Sequence, residues 1–412
     1  MFKSTFLALL LIFLISAKAS AQTLTLDYYL GQGLKNSPLL RDYSNQLSQG
    51  SLDSLLVLCG YKPQVVIASQ VLAAPVASHF GYDEAITNGG NYSALIGVKQ
   101  SLFNKNLKSA QLQSIDLLKQ SLGVNKTITE TDLRKSITTQ YIAAYIDYSM
   151  LQFIRKVTGI LSEQEKVVRY MVENGLYQQT DRMNLVVAIQ AQKISYKQAF
   201  IQYKNDIALL NLLSGIVDTS FVTLANPGIQ SAKPVDFYSL PAMLQSKIDS
   251  LNNINARTLM DLNYRPKLEA FADAGFMAVK PANVPNNFGA SFGLNFSMPI
   301  YDGKQRIQQY QKLEIVENSR VIYRNYYTSQ YRQQYNQLQE QLRLSDELIA
   351  DMKTQLIQQQ QLIDLYKTEI ENGLVRFTDY LTVVNNYTNM QYNLAAAEMN
   401  RMQLTNQLNY LK

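Results

Sequence analysis

The chain repeats itself, and the repeat limits what it can fold into. Ser37-Pro38-Leu39-Leu40 parallels Leu240-Pro241-Ala242-Met243, and Tyr61-Lys62-Pro63 parallels Tyr264-Arg265-Pro266, both 203 positions apart. Further on, Glu173-Asn174-Gly175-Leu176 returns as Glu371-Asn372-Gly373-Leu374, and Thr180-Asp181 returns as Thr378-Asp379, both 198 positions apart. Four matches in order at two constant offsets mark a tandem duplication. The offset changes by five between residues 63 and 173. A surface loop absorbs such a change cheaply, and the Gly- and Asn-rich stretch from His79 to Asn91 is the natural place.

Each half reads as helix, strand, loop, strand, long helix, break, helix. The strands are expected at about 63–75 and 92–103, then at about 266–277 and 289–301. In the last of them Phe292, Leu294, Phe296, Met298 and Ile300 alternate with Ser291, Gly293, Asn295, Ser297 and Pro299. Leu268, Ala270, Ala272, Ala274 and Phe276 alternate with Lys267, Glu269, Phe271, Asp273 and Gly275, and Ala94, Ile96 and Val98 with Leu95, Gly97 and Lys99. Period 2 gives one apolar face and one small or polar face. A ten-residue strand is long enough to cross a bilayer at a tilt. The pattern fits a membrane strand and a half-buried soluble hairpin equally.

Long helices are expected over 105–176 and 303–374, returning over 179–213 and 378–412. An unbroken stretch of this length would span roughly 108 Å at 1.5 Å per residue. In the second half apolar spacing alternates four and three: Tyr331, Tyr335, Leu338, Leu342, Ser345, Ile349, Met352, Leu356, Gln359, Ile363, Tyr366, Ile370. Such a rhythm makes a coiled-coil seam. The returning helix keeps it through Val383, Tyr387, Met390, Leu394, Ala397, Arg401, Leu404 and Leu408. Its first-half counterpart runs through Leu185, Ile189, Gln192, Tyr196, Ala199, Tyr203, Asp206 and Leu210.

Composition removes much chemistry. The 412 residues hold one His, one Cys and no Trp. One Cys makes no internal disulfide, and one Cys with one His makes no structural zinc site. No clustered carboxylate pair or Gly-rich phosphate loop appears, so no enzyme activity, metal or cofactor is expected. Cys59, beside Gly60 at a helix-to-strand junction, is expected to be a buried small apolar residue. Residues 1–21 read as a secretory signal peptide: Lys3, an apolar run from Phe6 to Ile15, then Ala19-Ser20-Ala21. The net charge of +6 falls to +4 without Lys3 and Lys18, and no basic run appears, which argues against nucleic acid. Beyond the leader, no segment has 18 consecutive apolar residues, so any membrane crossing would be by strands.

Four membrane-length strands cannot close a barrel, since bacterial barrels start at about eight. The long hairpins, with a narrow seam and no globular core, must likewise pack against copies of themselves. The signal peptide, the twofold repeat, the paired strand hairpins and the long helical hairpins, in this order, resemble the TolC-like outer-membrane efflux proteins. The shared elements are Leu24-Thr25-Leu26-Asp27, Asn36-Ser37-Pro38, Tyr61-Lys62-Pro63, Gln100-Ser101-Leu102-Phe103-Asn104, Met298-Pro299-Ile300-Tyr301-Asp302-Gly303 and the two Asn-Gly-Leu segments. The resemblance covers about Leu24 to Leu411. It implies a mainly α fold with a small β part: duplicated helical hairpins and four membrane strands, trimerising into a 12-stranded β-barrel on an α-helical barrel.

By the same resemblance residues 22–213 are the first repeat, 214–240 an equatorial connection that wraps the tunnel with the N-terminal segment, and 241–412 the second repeat. The protein would lie in the outer membrane with a periplasmic helical extension. It would be the exit duct of a tripartite efflux or secretion system, a homotrimer in outer-membrane lipid, served by a periplasmic adaptor protein and an inner-membrane pump. The adaptor contact would fall on Gly175-Leu176 and Gly373-Leu374. The entrance would fall on Thr180, Asp181, Asp379 and Thr382, with Asp379 in a ring of carboxylates. Thr382 stands where the family has a second acidic ring, and Ile370 where it has an aromatic gate partner.

Alternatives remain at each site. The tip leucines could pack inside, and Asp379 could simply cap its helix. The sequence also fits a soluble periplasmic coiled-coil or adhesin-like structural protein. It does not name the cargo.

Overall fold

A computed structural model describes residues 23–75, 77, 80–81, 89–218, 220–232, 236–372 and 374–411. The leader, His79 and Gly373 lie outside the described residues. The chain forms two compact units, each drawing segments from both repeats. One comprises the chain through Arg41, Thr127–Asp236 and Thr328–Lys412; the other comprises Asp42–Lys126 and Phe237–Tyr327.

The repeated prolines mark element starts. Pro38 opens helix α2 (Pro38–Gly60) and Pro241 opens helix α5 (Pro241–Asn263), each of 23 residues. Proline suits a first helical turn because its missing N–H has no partner there anyway. Pro63 and Pro266 stand just before strands β2 (Gln64–Ala73) and β5 (Lys267–Ala278), outside the ladder that needs every N–H. The tyrosine two residues before each proline ties the strand base to the chain at the start of a long helix. Tyr61 Oη donates to Gln111 Oε1 at 2.7 Å, and Tyr264 Oη donates to Asp302 Oδ2 at 2.7 Å.

Strands β3 (Gly90–Leu102) and β6 (Phe288–Ser297) complete one antiparallel sheet in the order β2-β3-β5-β6. The two repeat hairpins therefore join through β3 and β5. The register aligns the period-2 pattern across all four strands. Val65 faces Val98, Val98 faces Ala272, and Ala272 faces Phe292; one step along, Ile67, Ile96, Ala274 and Ala290 form the next row. One face is thus apolar apart from Ser69 and Gln100. The other carries Lys99, Asp273, Ser291 and Asn295 with the glycines Gly97, Gly275 and Gly293. Phe292 is 89% exposed, and Val65, Ile67, Leu294 and Phe296 are also exposed. Strand β6 ends at Ser297, short of the expected 301, because Pro299 cannot donate to a ladder.

Gly275 is required where it stands. Its φ is 157°, and a Cβ there would collide with the Ala94 carbonyl oxygen and lie 2.8 Å from Leu95 Cα on the paired strand. Cys59 corrects the expectation of burial: it is exposed. It lies on the same stripe of α2 as Leu52, Leu55 and Leu56, which are also exposed.

The first unit holds β1 (Thr23–Leu24), α1 (Leu26–Asn36), α4 (Gln179–Ser214), β4 (Thr223–Leu224), α7 (Phe377–Asn409) and the later parts of α3 (Lys105–Glu173) and α6 (Gln305–Glu371). No described helix is long and apolar enough to cross a membrane. All twelve predicted seam positions on α6, from Tyr331 to Ile370, are buried or half-buried, and nearly everything between them is exposed. β1 pairs in parallel with β4, bringing the N-terminal segment to the 214–240 connection. Two tyrosines of the hairpin core fasten this bridge. Tyr141 Oη lies 2.9 Å from the Leu24 carbonyl and 2.7 Å from that of Ala225, and Tyr203 Oη donates to the Val222 carbonyl at 2.6 Å.

Gly275→Ala is expected to lower stability by about 2 kcal/mol, a typical cost for a side chain forced into a glycine-only site. Hydrogen exchange of the Ala94–Ile96 amides should show the β3–β5 ladder opening first.

Candidate functional site

Two breaks interrupt the helical hairpins, and the same local chemistry builds both. Gly175 takes φ 75°, which ends α3: its N–H bonds the Val172 carbonyl at 3.1 Å, and the Leu176 N–H reaches back to Met171 at 2.9 Å. Glycine is favoured at such a left-handed stop. Asn174 Nδ2 donates to the Tyr170 carbonyl at 2.7 Å; Asn372 Nδ2 repeats this to Thr368 at 2.9 Å, and the Leu374 N–H to Glu369 at 3.0 Å. Leu176 is 65% exposed and Leu374 is 74% exposed. Neither leucine packs inside its own hairpin, so the packed alternative does not hold in this chain.

The two Thr-Asp pairs differ. Asp181 is half-buried and caps α4: its Oδ2 accepts the Gln178 N–H at 3.1 Å, while Thr180 Oγ1 donates to Gln178 Oε1 at 3.3 Å. Asp379 is exposed in the first turn of α7, and among the described residues its carboxylate accepts no hydrogen bond. Its backbone N–H alone bonds, to the Arg376 carbonyl at 3.1 Å. The helix N-terminus still favours its negative charge, but the side-chain cap expected as an alternative is absent. Thr382, one turn on, is exposed and spends its hydroxyl on the Thr378 carbonyl at 3.0 Å. Ile370 is fully buried.

Beneath the breaks lies a core that sequence reasoning missed. Phe377 and Tyr380 are fully buried with Ile370, Val168, Leu185 and Leu161, so all four long helices meet there. Tyr177, from the first break, donates its hydroxyl to the Val375 carbonyl of the second at 3.0 Å. Arg182 pairs with Glu165 at 3.0 Å across the first hairpin. Burial first, then the Asp364 charge, pushes the Tyr380 hydroxyl up to about 12, so it stays neutral. A signal for this core was present. At the 198 offset, Phe377 and Tyr380 replace Gln179 and Arg182, aromatic for polar, on either side of the repeated Thr-Asp.

Phe377→Ala should cost about 3–5 kcal/mol in urea unfolding, the usual range for emptying a large aromatic site. Leu176→Ser and Leu374→Ser should stay within about 0.5 kcal/mol, as exposed substitutions do. Tyr177→Phe should cost about 1 kcal/mol, one hydrogen bond.

No family model and no curated protein matches the sequence. Solved structures match the fold along nearly the whole chain. The outer-membrane channel OprN superposes with a TM-score of 0.73 at 13% identity, over 93% of this chain and 89% of that one. The open state of the MtrE outer-membrane channel of Neisseria gonorrhoeae gives 0.73 at 12%, over 94% and 88%. VceC, an outer-membrane protein of Vibrio cholerae, gives 0.69 at 12%, over 93% and 94%. With its duplicated hairpins, joined sheet and paired tip breaks, the chain has the fold of the TolC-like outer-membrane channels.

Proposed function

We propose that this protein is an outer-membrane channel, the exit duct of a tripartite efflux or secretion system. It passively conducts substrates from a periplasmic adaptor and an inner-membrane pump to the outside. One observation carries the reading: a four-stranded sheet, apolar across one face apart from Ser69 and Gln100, whose edge strands β2 and β6 have no partner strand on their outer sides among the described residues. In lipid each unpaired backbone group costs several kcal/mol, so open edges must close. Pairing β2 of one copy with β6 of the next closes the ring, and three copies bring twelve strands.

The helices next to each edge support the same closure. Exposed Leu52, Leu55, Leu56 and Cys59 on α2 lead into β2, and exposed Ile315, Ile322 and Tyr323 on α6 follow β6. Two different patches meeting head to tail is the arrangement that makes rings. At the tips, Leu176 and Leu374 with Gly175 and Gly373 form the adaptor contact. Three copies of Asp379, each carboxylate without a partner among the described residues, form the ring at the entrance, with Thr382 beside it. Asp181 and Thr180 hold the fixed hairpin next to it.

Planar-bilayer recording of the purified protein tests the reading. Wild-type protein should give discrete conductance steps that prefer cations, and Asp379→Asn should lower that preference while leaving the steps. Protein that conducts nothing overturns the channel. Unchanged selectivity in Asp379→Asn overturns the ring.

A further inference from the structure

One cavity in the first unit, about 650 Å³ under residues 226–230, carries its charges already paired: Lys353 with Glu398 at 2.9 Å, and Arg401 with Asp346. It presents no unmet charge to a ligand. A different pair of charged groups in that unit is unmet.

Asp147 on α3 and Asp206 on α4 both occupy seam positions of the first hairpin. Counting by 198, they stand where the second hairpin has Ser345 and Leu404. The seam presses their carboxyl groups together within hydrogen-bond range. Asp206 is well supplied with donors. Gln140 Nε2 reaches its Oδ1 at 3.0 Å, and Gln202 Nε2 reaches its Oδ2 at 3.2 Å. Asp147 is half-buried and has no such donor among the described residues: its Oδ2 is buried without a partner. Two carboxylates side by side, one lacking any donor, repel each other and leave a buried acceptor unmet. One proton between them removes both defects. Asp147 holds the proton and donates it to the amide-bonded carboxyl of Asp206.

We propose that a single proton held between Asp147 and Asp206 staples α3 to α4, and that the first hairpin loosens as this proton is lost with rising pH.

Nothing else packed there competes for the proton. Burial and then the Asp206 carboxyl push Asp147 up to about 8, and no cation bears on it. The hydroxyls of Tyr29, Tyr141 and Tyr203 in the adjoining core are all pushed upward by burial and stay neutral. Lys204 lies over the Phe221 ring, Arg155 donates to Tyr196, and Asp218 binds Ser220. The sign follows from proton linkage. Between the ordinary carboxylate value near 4 and about 8, the closed hairpin binds one proton more than the opened one. Closure therefore weakens as pH rises through that window and levels off above it.

Hydrogen exchange of the full-length protein in detergent micelles, corrected for intrinsic rates, tests this between pH 5 and pH 9. Protection of the Tyr203–Leu210 amides should fall by up to about tenfold per pH unit, the limit for one linked proton, and flatten above pH 8. Asp147→Asn supplies a permanent donor to Asp206, so its protection should be at least as high and independent of pH. The second hairpin around Ser345 and Leu404 is the internal control and should not change. Parallel profiles in wild type and Asp147→Asn, or equal changes in both hairpins, overturn the proposal. If Asp147→Asn fails to fold, the protonated-carboxyl infrared band of the wild type decides: it should be present at pH 6 and lost by pH 10, and its absence at pH 6 overturns the staple.

Discussion

Backbone pairing at the edges of one small sheet governs the rest of this molecule. Four strands give three ladders, and the outer sides of β2 and β6 are left over. A soluble protein blunts such edges with charge, proline or a covering helix. Here the edges carry Val65, Ile67, Val71, Phe288, Phe292 and Leu294, all exposed and mostly large. An apolar, uncovered edge would aggregate in water, and in lipid it needs a partner strand. The exposed stripes on α2 and α6 continue the same demand beyond the sheet.

The duplication explains why the demand is symmetric, and small departures from it explain where the halves differ. Both repeats use proline to open a helix, proline to enter a strand, and tyrosine to tie the strand base. Both end their long helices with Asn-Gly-Leu. The departures are concentrated in the helical hairpins. Phe377 and Tyr380 turn the second break into a core, while Gln179 and Arg182 keep the first one polar. Asp181 is tied into its helix cap, while the Asp379 carboxylate accepts no hydrogen bond among the described residues. The first seam holds two acids where the second holds Ser345 and Leu404. A repeated scaffold thus carries unrepeated chemistry.

Much of this was legible because period and punctuation are local. The alternation of Phe292, Leu294 and Phe296 fixes a strand face without knowing its neighbours. The four-three rhythm from Tyr331 to Ile370 fixes the buried stripe of α6 residue by residue. What was not legible depends on contacts between distant segments. The β1–β4 bridge is two residues long and carries no pattern. Tyr203 reads as a seam residue, and only the fold shows that its hydroxyl, with that of Tyr141, holds that bridge. Cys59 reads as a small buried residue, yet its stripe on α2 is exposed. The tip core needed all four long helices in place before Phe377 could be seen as its centre.

The claim beneath this account is that one chain is an incomplete ring. The native mass of the detergent-solubilised protein tests it most directly, by light scattering or native mass spectrometry with the detergent contribution removed. The account predicts a single species of three chains. A monodisperse single chain, stable in water without detergent, would contradict it.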